Sequence, residues 1–257
     1  EDGRMTIRAA ILDDALFRAY GSHAVLNDDQ LKNVTSVDGW FDHHTGIKDL
    51  TSLALTAIDT LKSTTLAPLA ELQKIALPAT LAVVETGAFA ANTELQWADF
   101  AECTDTDVLT QSSIAQMGFG PYALVYAPEG VTITGLSNVV YGTESNLKCD
   151  QYVFSDSSDY AVPRAFKASA VRFDRPFAKD EKSTLCLPFD MEVPTGATAF
   201  MLQHQEDDVI LFYSVDGGIE ANKPYVIIAD NDVVFETTIE TMVPATPSRL
   251  PQVATDN

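Results

Sequence analysis

Lys74, Trp97, Asp99 and Tyr126 sit in three related stretches, LQKIAL, LQWADF and ALVYAP, and their side chains have the chemistry of a ligand platform. A sugar ring or a partner side chain would stack on Trp97 and Tyr126, while Lys74 and Asp99 offered hydrogen bonds beside it. The same two aromatics would instead be buried if the C-terminal part of the chain folded back onto them. Both readings are carried forward.

Catalytic chemistry has no comparable signal. GxSxG, HExxH, GxxxxGK[ST] and GxGxxG spacings are absent. With 37 acidic residues some carboxylate pair will always suit glycoside hydrolysis on paper, so acid count does not support it. No catalytic residue, metal or cofactor is assigned, and the chain is read as a non-enzyme. His43 and His44 are adjacent and would point to opposite sides of a strand, so they read as loop residues. His204 in LQHQ reads as a solvent-facing strand position. Asp105 and Asp107, or Asp13 and Asp14, lack the spacing and distal Glu of an EF-hand.

Cys103, Cys149 and Cys186 show no CxxC spacing. Cys186, in TLCLPF, reads as a small core residue, and a Cys149 to Cys186 bridge is left open. A net charge of −21 and a pI near 4.3 argue against nucleic acid and anionic membrane surfaces, which select clustered Lys and Arg. Between Arg164 and Lys182 six cations face three acids, whereas Ser183 to Pro247 holds eleven acids and only Lys223. Complementary charge within a sheet is the expected outcome. No apolar run reaches the ~20 residues of a membrane span. The first residues, EDGRMT, carry no signal sequence, as a mature or trimmed chain would not.

The four platform residues depend on a repeat. LTSLAL from Leu50, LQKIAL from Leu72 and LQWADF from Leu95 start 22 and 23 residues apart. Leu53, Ile75 and Ala98 superpose, as do Leu55, Leu77 and Phe100, and Leu66 and Phe89 keep register. Alternation gives each unit a short strand with one buried face, and stacked neighbours must cover it. The outward columns then read Ser52, Lys74, Trp97 and Ala54, Ala76, Asp99. ALVYAPEG makes a fourth unit, with Val125 and Ala127 inward and Leu124 and Tyr126 outward, after an insertion, ECTDTDVLTQSSIAQMGFGPY.

The expected class is α+β, mostly β. Residues 1–48 form a helical cap, with an amphipathic helix over Arg8 to Tyr20 and a second, short one capped by Asn27 and Gln30. Residues 49–135 form the repeats. Residues 136–257 form an all-β, sandwich-like module, because LKCDQYVF, RAFKASAVRF, STLCLPF, TAFMLQHQ, DVILFYSV, YVIIAD and DVVFETTIE read as strands. In the second of these Phe166, Ala168 and Ala170 should face inward together. A Pro-rich tail follows from Met242.

LPATLAVVETGAFAANTEL is similar to the repeat of BspA-type leucine-rich-repeat surface proteins of Bacteroidetes, where LP precedes a turn, a small-residue segment with Phe, and an Asn or Cys before the next Leu. LFRAYGSHAVLNDDQLKNVTSVDGWFDHHTGIKDLTSL resembles the cap before such repeats. NLKCDQYVF, STLCLPFDMEVPTGATAF and IEANKPYVII resemble a β-rich module that often follows them. Relatives often carry a longer Asp- and Gly-rich loop where this chain has LNDDQL, a departure that weighs against calcium there. The resemblance implies a secreted or cell-surface protein, facing outward or toward the periplasm, that captures a protein or glycan ligand. A lipid anchor in the precursor is compatible with it. A carbohydrate-active enzyme or accessory module, and a structural stalk presenting another domain, are the alternatives.

Overall fold

The computed structural model describes residues 26–42, 45–157, 159–206 and 209–246. The expected Arg8 to Tyr20 helix, Asp13, Asp14, His43, His44 and the last residues of the tail lie outside them. Strands predominate.

The first described element is α1 (Asp28–Leu31). The Asn27 side chain accepts from the Gln30 amide at 3.0 Å and the Gln30 side chain accepts from the Asn27 amide at 2.9 Å. This reciprocal box satisfies amides that a helix start leaves open. Leu31 is buried beneath it.

Short strands follow: β1 (Asp49–Leu50), β2 (Thr60–Leu61), β3 (Lys74–Ala76), β4 (Val83–Val84), β5 (Trp97–Asp99) and β6 (Leu124–Tyr126). Mostly longer ones come next: β7 (Val139–Thr143), β8 (Asn146–Phe154), β9 (Phe166–Phe177), β10 (Lys182–Leu185), the two-residue β11 (Met191–Glu192), β12 (Ala197–Glu206) and β13 (Val209–Ser214). The last are β14 (Gly218–Ile219), β15 (Tyr225–Ala229), β16 (Val233–Thr237) and β17 (Thr241–Val243).

One sheet runs β1-β3-β5-β6-β7-β8-β9-β16, with β17 also on β9. Pairing is parallel from β1 to β7. Because β6 pairs with β7, the sheet passes without a break through the boundary expected at residues 135 and 136. The change from parallel to antiparallel pairing comes later, between β7 and β8. A second sheet, β10-β15-β12-β13, adds Leu185, Ala199, Tyr225 and Ile227 to a core shared with β8, β9 and β16. The small pairs β2-β4 and β11-β14 complete the topology.

In the parallel ladder Lys74, Trp97 and Leu124 are aligned, as are Ile75, Ala98 and Val125, and Ala76, Asp99 and Tyr126. These are the rows read from the 23-residue spacing and from the proposed fourth unit. The first row departs. Asp49 pairs with Lys74 and Leu50 with Ile75, so neither Ser52 and Ala54 nor Leu53 and Leu55 occupy the expected columns. Asp49 Oδ1 accepts from both the amide and the hydroxyl of Thr51, at 2.9 and 2.7 Å, and this turn stops the strand at Leu50. Thr51–Leu55 continues as a 3-10 helix. Its three-residue period returns Leu53 to the core beside Leu50, buries Ser52 and leaves Leu55 half-buried.

Leu50, Leu53, Ile75, Leu77, Phe89, Leu95, Phe100 and Val125 belong to the core on the inner side of the ladder. Leu124 and Tyr126, on its outer side, join the second core with Val140, Phe166 and Phe235. In β9 Phe166 and Ala168 are buried while Lys167 and Ser169 are exposed, as alternation requires. Ala170 is only half-buried, and burial resumes out of phase at Val171 and Phe173. The change falls where β9 passes from its partner β17 to its partner β16. Cys186, expected in the core, is exposed, because it lies one residue beyond β10 between inward-facing Leu185 and Leu187. All three cysteines are free thiols.

Candidate ligand-binding cleft

The four residues expected to form a platform do not share an open surface. Lys74 Nζ lies 3.4 Å from Asp49 Oδ2, its neighbour in the ladder. Trp97 is half-buried against the second core. Tyr126 is fully buried, so no ligand can stack on it. Arg164, just before β9, lies over the Tyr126 ring at 4.4 Å, and the Arg164 carbonyl accepts the Tyr126 hydroxyl at 2.8 Å. The C-terminal module therefore covers the end of the ladder and takes the aromatic that the platform needed.

Asp99 is drawn into the same contact. Its Oδ1 accepts from Arg164 Nη2 at 2.7 Å and from the Ala101 amide at 2.9 Å, while Arg164 Nη1 reaches Glu144 Oε2 at 2.9 Å. Burial pushes the Asp99 carboxyl above its ordinary value, and Arg164 and the Ala101 amide offset this only in part. A hollow of about 390 Å³ beside this group is walled by Glu102, Glu129 and Glu144 as well as Asp99 and Arg164. Elsewhere on β9, Lys167 pairs with Glu240 at 2.9 Å, joining the basic stretch to the acidic one, whereas Arg175 pairs with Asp156 after β8 at 3.2 Å.

A larger cleft of about 450 Å³ opens at the start of β3, β5 and β6. Gln73 and Gln96 line one wall. The ladder sets them in one column, since the Gln96 amide donates to the Gln73 carbonyl at 2.8 Å and the Gln73 amide to the Lys48 carbonyl at 2.8 Å. Glu94 and Thr93 border them, and the segment after β8 supplies Asp156, Asp159 and Tyr160 from across the opening.

Tyr122 is brought to the cleft by the insertion. There α2 (Gln111–Met117) starts at Thr110, whose side chain accepts from the Ser113 amide, and stops at Gly118 with φ +85°. The Gln116 and Met117 carbonyls accept from the Gly87 and Phe89 amides at 2.7 and 2.9 Å, and Phe119 stacks on Phe89 at 4.5 Å. A Cβ at Gly118 would stand 2.9 Å from that of Ala90, so only glycine fits this docking. The chain then delivers Gly120 to Ala123 into the wall.

The Tyr122 hydroxyl donates to Asp174 Oδ2 at 2.7 Å. That bond raises the pKa of Tyr122 and holds Asp174 below the usual carboxylate range. Tyr160 donates to the Pro244 carbonyl, and its burial raises its pKa. Both rings are thus fixed by their hydroxyls, with Tyr152 and Phe154 stacked at 5.2 Å deeper in.

Amides, carboxylates and fixed tyrosines around an open, polar cleft can hydrogen-bond a polyhydroxylated ligand and pack against its apolar faces. Among the described residues no group of three or more His, Cys, Asp or Glu could hold a metal ion. The sequence reading missed this site, although the paired glutamines of LQKIAL and LQWADF, at the repeat spacing, were its visible trace. No protein-family model matches the chain, and no curated protein or solved structure matches it either.

Proposed function

We propose that this chain is a non-enzymatic, secreted or cell-surface binding protein that captures a glycan in the cleft between Gln73, Gln96 and Tyr160. The single observation behind the reading is that cleft. It is polar, open and built on rigid ladder positions, with tyrosine rings held in place beside amide and carboxylate groups. A neutral sugar suits it better than an anionic one, because Glu94 and Asp159 would repel added negative charge, while Asp156 is paired with Arg175.

The ladder is read here as a short leucine-rich-repeat stack of the BspA type with an N-terminal helical cap. The L-x-x-I-x-L spacing, the parallel register of β3, β5 and β6, and the capped α1 over buried Leu31 support that reading. Surface exposure of the protein is supported by the same resemblance and by the acidic composition. A protein ligand fits the repeat surface less well, since of its two aromatics Tyr126 is buried and Trp97 half-buried.

One observation favours a second reading. The carboxylates of Glu94, Asp156 and Asp159 line the same cleft and could serve a carbohydrate-active enzyme. A neutral-glycan array, followed by a reducing-sugar assay on each glycan bound, separates the two. Binding without release of reducing sugar supports capture. Release that disappears in Glu94→Gln or Asp156→Asn makes the protein a hydrolase, and an array with no neutral glycan bound removes the cleft assignment.

A further inference from the structure

The four-stranded sheet ends at β13, and nothing among the described residues pairs with the outer edge of that strand. Its sequence, VILFYS, holds no charge, proline or glycine. Val209, Ile210, Phe212 and Tyr213 are 45–56% exposed, and Leu202 opposite Phe212 on β12 is 59% exposed. Tyr213 and Phe212 are neighbours in the strand and point to opposite faces, so both faces of this hairpin are apolar and open. Proteins normally blunt such an edge with lysine, proline, an inward charge or a covering segment. β13 carries none of these on its own residues.

The direction of its backbone groups can be read. The Val215 amide donates to the Ala199 carbonyl at 2.9 Å, so alternation turns Tyr213 and Leu211 toward β12. Ile210, Phe212 and Ser214 then offer their amides and carbonyls to the open edge. The irregularity in this hairpin, between Leu202 and His204, lies on β12 and leaves the ladder-forming edge of β13 regular.

Charge selects the occupant. Lys182 to Ala229, the stretch that spans this sheet, holds seven acids against Lys182 and Lys223, and exposed Asp216 lies just past the end of β13. A second copy would bring the same acidic surface against itself, in chains that each carry −21. An extended segment with cationic ends would meet the opposite field.

We propose that the edge of β13 docks an extended segment of a partner protein as a fifth strand, with apolar residues at alternate positions along Ile210 and Phe212 and lysine or arginine at its ends. Main-chain bonds from Ile210, Phe212 and Ser214 supply affinity, and the acidic surroundings select the cationic flanks. This surface is separate from the cleft and stands without it.

Fluorescence anisotropy with two labelled peptides tests the proposal. Both alternate valine and threonine; one is flanked by lysine pairs and the other by glutamate pairs. The lysine-flanked peptide is expected to bind saturably and at least roughly tenfold more tightly than the other. Phe212→Pro removes an outward amide while sparing the bonds to β12, and should cost the lysine peptide roughly tenfold in affinity with the thermal midpoint nearly kept. Should that variant fold poorly, Ile210→Lys places a repelling cation on the same edge and is expected to give the same loss. Equal binding of the two peptides, no binding of either, or unchanged affinity in a folded variant overturns the proposal. So does sedimentation showing a dimer that Ile210→Lys dissolves, which would make a second copy the occupant.

Discussion

Arg164 holds Tyr126 twice, by its guanidinium over the ring and by its carbonyl on the hydroxyl. Tyr126 ends the last of the short parallel strands and Arg164 leads into β9, so the pair fastens the ladder to the C-terminal module. Arg164→Ala removes this cover and two ion pairs while leaving Asp99 in a largely buried place. It should lower unfolding stability by about 2–4 kcal/mol in a urea titration. Because Arg164 lines the smaller hollow, glycan affinity should not change. A variant as stable as the parent would show that the contact contributes nothing.

The first row of the ladder is tested by two leucines. Leu50 is fully buried in register with Ile75, whereas Leu55 is half-buried at the end of a 3-10 turn. Leu50→Ala is expected to cost about 2–5 kcal/mol and Leu55→Ala clearly less. The reverse order would restore the register that the LTSLAL spacing suggests.

Asn138 should be as sensitive as a core residue. It is buried at φ +60°, its side chain donates to the carbonyls of Pro121 and Val153 at 3.1 and 2.8 Å, and it accepts from the Val153 amide at 2.7 Å. These bonds clamp β7 to β8 where the parallel ladder changes connectivity. Asn138→Gly keeps the backbone conformation but loses all three, and a cost of about 2–4 kcal/mol is expected in the same titration. Asn138→Ala adds backbone strain and should cost more.

Thiol chemistry should distinguish the three cysteines. Burial pushes Cys103 and Cys149 up to about 12, so at neutral pH both are protonated as well as covered. Cys186 is exposed. One equivalent should react quickly with a thiol reagent in native protein and three in denaturant. Loss of the fast equivalent, with one thiol in denaturant and two more only after reduction, would indicate the bridge between Cys149 and Cys186.

Much of the ladder was legible because its strands repeat a period of two at a spacing that a stack must preserve. Ile75, Ala98 and Val125 could be aligned from spacing alone, and seven segments between Leu147 and Glu240 could be read as strands, though not paired. What escaped was decided by groups that hydropathy does not weigh. The Asp49 turn moved the first row by three residues, and the change of partner along β9 altered the phase at Ala170. Cys186 lay in an apolar string but on its outward side. The platform failed for a longer-range reason, since the pairing of Tyr126 with Arg164 joins residues 38 apart. Likewise the cleft combines Gln73 and Gln96 with an insertion and a Ser- and Asp-rich turn that only the folded sheet brings together.

The direct test of glycan capture is isothermal titration of an array-identified neutral oligosaccharide into the protein and into Gln73→Ala/Gln96→Ala. Both side chains are half-exposed one residue before β3 and β5, where the backbone makes the ladder bonds, so the fold should persist. The account predicts saturable binding to the parent and a loss of roughly ten- to a hundredfold in the double variant, the effect of two hydrogen bonds. Undiminished binding in a folded double variant would contradict it.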